Sequence, residues 1–209
     1  MHLTSRKLTS ILLILGPILM VTGVLILSII VGISDWSDSQ AAISSLVANL
    51  GLSKIGMFVM SLGMVMAGAG LGGVNASMAG GTGAQYARIG LFFLVVGLAV
   101  GLGESALTIG AGQAASIGKV TISDALYAAA PSFGSFGMFF VMLGFSIFGL
   151  GILIQKNFNQ IVAGVVIVVG IVGAVMSVIN YQSDWIMIPY AGFMLVVICL
   201  GVSFIKDRQ

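Results

Sequence analysis

Gly56-Met57-Phe58-Val59-Met60-Ser61-Leu62-Gly63-Met64-Val65-Met66-Ala67-Gly68-Ala69-Gly70 and, 81 residues later, Gly137-Met138-Phe139-Phe140-Val141-Met142-Leu143-Gly144-Phe145-Ser146-Ile147-Phe148-Gly149-Leu150-Gly151 decide the fold. Both begin Gly-Met-Phe, continue to Leu-Gly, and end on two glycines at matching positions. Neither carries a charge. Each sits inside an apolar run of about 20 residues, the length an α-helix needs to cross a ~30 Å hydrocarbon core. The match reads as an internal repeat of membrane helices.

Outside these stretches the composition says the same. Of 209 residues, 59% are hydrophobic and 7% charged, against roughly 25% charged in soluble domains. The mean hydropathy is +1.19. Glycine, at 30 residues, is about twice its ~7% average. In lipid no hydrophobic force drives helices together, so small residues that allow close approach hold them. Gly56, Gly63, Gly97, Gly101, Gly137 and Gly144 are therefore read as helix-packing residues. Arg6 and Lys7 precede an apolar run of about 22 residues, longer than the ~7–15 of a signal peptide and followed by no small-residue cleavage site. It reads as a first span.

The hydropathy pattern predicts an all-α transmembrane bundle of one domain, with six spans at about 10–33, 55–74, 88–109, 133–154, 160–179 and 187–205. Two long loops, 34–54 and 110–132, lie on the side opposite the termini, and a tight turn lies at 155–159. Arg6, Lys7, Arg88, Lys156, Lys206 and Arg208 fall on the terminal side with Asp207. Lys54 and Lys119 fall on the other, with Asp35, Asp38, Glu104, Asp124 and Asp184. Six cations against two predict cytoplasmic termini in a cell membrane.

Gly16 and Gly97 in spans one and three also stand 81 residues apart, and Ser34-Asp35-Trp36 recurs as Ser183-Asp184-Trp185. Three hairpins of one origin are expected. The long loops are too apolar to float in water. Each is expected to hold a short interfacial or half-membrane helix, capped by Ser39 or Ser123. Trp36, Tyr127 and Trp185 are expected in an aromatic belt. Within the first loop, Ile43-Ser44-Ser45-Leu46 with Gly51 resembles a pattern of an uncharacterised family of six-span prokaryotic membrane proteins. The resemblance implies the six-span fold and no activity.

Catalytic chemistry finds little support. The sequence has one histidine, His2, and one cysteine, Cys199, so no haem, zinc or non-haem iron ligand set is expected and no Ser-His-Asp or Cys-His nucleophile. Gly80-Gly81-Thr82-Gly83 lacks the lysine of a phosphate-binding loop. No cofactor, metal or nucleic acid partner is expected. Asp35, Asp38, Asp124 and Asp184 form a candidate polar cluster on the face opposite the termini, read mainly as a solvated rim and alternatively as a cation site. Met57, Met60 and Met64 share one helical face, read as gap-filling with Cu(I) binding as the alternative.

Glu104 stands apart. It falls about 16 residues into span three, inside the hydrocarbon region or just below its edge, where a carboxylate is costly and a functional candidate. The bland alternative is that it reaches the interface or bonds Ser105 or Thr108. The favoured expectation is a non-catalytic subunit of a larger membrane complex, whose partners are lipid and other membrane proteins or itself. The alternative is a small transporter or channel using Glu104 for proton or cation coupling. A lipid enzyme using Asp35 and Asp184 ranks last, because no nucleophile is paired with a base.

Overall fold

Valine and isoleucine dominate the segment Gln160–Ile179, residues that favour strands in water. They form a helix here because a bilayer gives backbone groups no partner outside the segment itself. The same constraint shapes the whole chain. A computed structural model describes residues 3–156 and 158–206. His2, Asn157, Asp207 and Arg208, with the side chain of Lys206, lie outside the described residues. Leu3–Leu25 form α1, which ends in a π turn over Ile26–Ile30. The other helices are α2 (Ser39–Ala48), α3 (Leu50–Ser77), α4 (Ala84–Ser116), α5 (Val120–Gln155), α6 (Gln160–Ile179) and α7 (Met187–Lys206), with one 3₁₀ turn at Asp184–Ile186. All but α2 are long and apolar enough to cross a membrane, giving six spans.

The spans close into a ring. Each packs on the next, and α7 returns to α1. Arg6 on α1 lies over the Phe204 ring on α7, so the two ends of the chain share one side.

Glycine seams hold the first two hairpins. A β-carbon at Gly63 on α3 would come within 2.5 Å of the Gly16 carbonyl and 2.6 Å of the Met20 nitrogen on α1. At Gly144 on α5 it would meet the Gly90 carbonyl and the Leu94 nitrogen on α4, both at 2.6 Å. Similarly Gly70 faces Leu13 and Gly151 faces Ala87, while Gly56 faces Leu27 and Gly137 faces Gly101. The second helix of each hairpin matches at 81 residues, as expected, but the first helix matches at 74. The packed equivalent of Gly16 is thus Gly90, and Gly97 corresponds to Gly23. The difference of seven residues is about two helical turns, which keeps every seam glycine on the same face. The third hairpin is joined differently: α6 lies chiefly on α5 and α7 on α1.

The expected second loop, 110–132, is instead helix. α4 runs to Ser116 and α5 starts at Val120, so the spans expected at 88–109 and 133–154 are longer at that end. Their 33 and 36 residues reach about 50 and 54 Å, well beyond a ~30 Å core. Gly118, at φ +74°, turns the chain, and the Lys119 N–H donates to the Ala114 carbonyl at 2.8 Å. Ser123 is no cap: it is buried within α5 and donates to the Ala111 carbonyl at 2.9 Å.

The first long loop does hold a short helix, α2, but Asp38 rather than Ser39 caps it, accepting from the Ala41 N–H at 3.0 Å. Ala42, Ile43 and Leu46 of α2 are buried with Leu27, Val31, Ile33, Met57, Ala111 and Tyr127 in a second core on the side away from the termini. Tyr127 accordingly leaves the expected aromatic belt. It is buried, and its hydroxyl donates to the Trp36 carbonyl at 2.9 Å, tying the two hairpins together. Trp36 and Trp185 are exposed.

Candidate ion-binding site

Close approach of α4 and α5 sets the stage. A β-carbon at Gly97 would lie 2.6 Å from the Gly137 carbonyl, and one at Gly137 would lie 2.7 Å from the Gly101 Cα. Gly101 itself has room, its nearest outside atom being Met64 Cε at 3.7 Å. Three residues further along α4 comes Glu104. Opposite it on α5 is Gly134, where a β-carbon would fall on the Glu104 Oε2 and the Tyr181 hydroxyl. The missing side chain at Gly134 is what lets the carboxylate enter.

A third segment completes the site. α6 ends at Ile179, and the Ser135 hydroxyl donates to the Ser177 carbonyl at 2.7 Å, fixing this end of α6 on α5. The loop that follows turns Tyr181 inward, and its hydroxyl donates to Glu104 Oε2 at 2.8 Å. Burial, and then the neighbouring Glu104 charge, hold the Tyr181 phenol well above its ordinary pKa of 10, so it stays a hydrogen-bond donor at neutral pH. Thr108 does not bond the carboxylate. Its hydroxyl donates to the backbone carbonyl of Glu104 at 2.8 Å.

Glu104 and Tyr181 border a narrow cavity in the middle of the ring, with Met20, Met64, Met138 and Tyr190 among its other walls. The cavity, at about 20 Å³, holds a single water or a small dehydrated cation. A carboxylate in such a space either accepts hydrogen bonds, binds a cation, or takes up a proton and becomes a donor.

The four outer aspartates do not assemble. Asp35 accepts from the Ser37 N–H and hydroxyl, both at 2.7 Å, and these bonds lower its pKa below the ordinary carboxylate value. Asp38 caps α2, and Asp124 and Asp184 are exposed on separate helices. Among the described residues no three His, Cys, Asp or Glu side chains converge on a metal position. The methionine stripe divides as well: Met57 belongs to the far core and Met64 to the central cavity.

Sequence reasoning found Glu104 but missed Tyr181, Tyr190 and Gly134. Tyr181 sits between Asn180 and Gln182 and reads as ordinary loop. Gly134 could have been found by setting it against Ser53, 81 residues earlier, where the repeat has a side chain. The Ile43–Leu46 pattern has a packing explanation, since Ile43 and Leu46 bury the inner face of α2. Compared with known proteins, the chain matches no family model, no curated protein and no solved structure.

Proposed function

We propose that the protein is a small membrane transporter or channel in which Glu104 binds a proton or a monovalent cation. One observation carries this reading: Glu104, an acid within a spanning helix, reaches a cavity of the ring and is met there by a tyrosine hydroxyl from another element. Ionisable groups at membrane depth are expensive and are kept for such work. Ionised Glu104 accepts from Tyr181. Protonated on its other oxygen, it gains a donor and still accepts from Tyr181, but that bond loses its charge assistance and holds the Asn180–Ser183 segment less tightly. Proton or cation occupancy is thereby coupled to the position of the α6–α7 connection. Under this reading the protein sits in a cell membrane, and the excess of Lys and Arg on the terminal side supports cytoplasmic termini.

The test is flux in proteoliposomes of the full chain. With a pH dye inside and an imposed Na⁺ or K⁺ gradient, the wild-type protein is expected to move protons or cations, and Glu104→Gln to abolish the movement while still assembling in detergent. Equal flux from both would overturn the reading. Co-purification with other membrane subunits in fixed ratio, with no flux at all, would instead favour an accessory role.

A further inference from the structure

At one level α1 and α7 are in intimate contact. The Ser10 hydroxyl donates to the Gly201 carbonyl at 2.6 Å, and a β-carbon at Gly201 would come within 2.9 Å of Leu13 and Ile14. Toward the ends of the chain a groove of about 370 Å³ lies between the two helices, many times the volume of the Glu104 cavity. It accepts a group of several heavy atoms rather than a single water.

The walls are graded. Arg6 and Lys7 stand on the terminal turn of α1, and Ile11 and Ile14 follow one and two turns deeper. Phe204 and Ile205 form the α7 side. The Arg6 guanidinium lies 5.5 Å from the Phe204 ring centroid, which holds its charge at the groove. A cationic rim leading to an aliphatic wall, at the end of a spanning helix pair, matches a molecule with an anionic head and a hydrocarbon tail. Water-soluble anions use only the rim.

We propose that this groove seats an anionic phospholipid from the leaflet on the terminal side, its phosphate between Arg6 and Lys7 and one acyl chain along Ile11 and Ile14. Basic pockets between membrane helices select such head groups. The aliphatic wall supplies the remaining affinity, roughly in proportion to the apolar area covered. The lipid bridges the first and last helices and fastens the ring where it closes. The inference stands independently of Glu104, whose replacement leaves the groove unchanged.

Native mass spectrometry of the full chain in detergent, titrated with phosphatidylglycerol or phosphatidylcholine, tests it. The expected result is one retained phosphatidylglycerol, and binding about thirtyfold weaker in Arg6→Gln/Lys7→Gln, the loss of two phosphate-facing cations. Ile14→Trp, which fills the groove and keeps both charges, is expected to weaken it too. Arg88→Gln/Lys156→Gln removes as much charge from the same side outside the groove and is expected to leave binding intact. Equal weakening by that control would show a general charge effect and overturn the proposal. So would equal binding of phosphatidylcholine, or displacement of the lipid by millimolar inorganic phosphate.

Discussion

In the first hairpin, Ser53 lies buried where α2 meets α3, its hydroxyl 3.2 Å from the Leu46 carbonyl and 3.0 Å from that of Asn49. The packed equivalent in the second hairpin is Gly134, and the space there holds the Glu104 carboxylate and the Tyr181 hydroxyl. Glu104 in turn corresponds to Ile30, the last residue of the π turn of α1, which points outward. The two hairpins share a seam of backbone contacts and differ in what fills one end. In the first, the chain breaks at Gly32, whose φ is +83°, and folds α2 over the gap. In the second, both helices run on and the gap receives an acid. A glycine seam thus fixes where two helices cross while leaving the chemistry at the crossing free to vary.

The largest expected effects come from the seam itself. Gly63→Ala and Gly144→Ala each press a methyl onto opposing backbone, which cannot rotate away, so each is expected to cost about 1–3 kcal/mol. Reversible unfolding in mixed micelles measures this. Equivalence of the seams requires the two losses to agree within about 0.5 kcal/mol, the scatter expected of unrelated surface changes. Gly101→Ala, with 3.7 Å to its nearest outside atom, should fall within that scatter. A cost at Gly101 as large as at Gly144 would break the account.

An intermediate effect is expected at the differing end. Gly134→Ala drives Oε2 of Glu104 and the Tyr181 hydroxyl apart, and losing a hydrogen bond to a charged group costs about 1.5–3 kcal/mol. Tyr181→Phe removes the same bond. In a double-mutant cycle the two changes should therefore be strongly non-additive, with the pair costing little more than either alone. Simple additivity would mean that Gly134 serves packing only and that its contrast with Ser53 carries no chemical meaning.

What could be read beforehand follows the same division. Six spans and the seam on α3 and α5 were legible because Gly56, Gly63 and Gly70 and their partners Gly137, Gly144 and Gly151 keep one spacing. The pairing of Gly16 with Gly97 misled because the stretch between the seam glycines is seven residues longer in the second hairpin, Gly90 to Gly144, than in the first, Gly16 to Gly63, and a single offset cannot follow both helices. Residues 110–132 looked like a loop because Ala, Gly and Ser lower the hydropathy. Membrane-protein helices tolerate proline when neighbouring helices re-satisfy the freed backbone groups, and α5 passes through Pro131. Glu104 was visible as an acid inside an apolar run. Its partner was not, since a tyrosine in a polar loop reaches Glu104 only through the placement of α6 on α5.

The smallest expected effect distinguishes how the two hairpins begin their second strokes. Asp38 caps α2, and the corresponding residue before α5 is Lys119, whose side chain makes no cap bond. A helix of ten residues, shorter than the ~12–15 that are marginal alone, depends on its cap and on Ala42, Ile43 and Leu46. α5 has 36 residues, and its first turns are tied to α4 by the Lys119 N–H and by Ser123. Asp38→Ala is therefore expected to cost about 1 kcal/mol, confined to α2 and seen as faster hydrogen exchange of the amides of residues 39–43. Lys119→Ala is expected to change stability by less than about 0.5 kcal/mol and to leave exchange in α5 unaltered. If Asp38→Ala leaves exchange in α2 unchanged, burial against α4 and α5 alone holds the short helix. The first hairpin then closes by packing, and its cap is incidental.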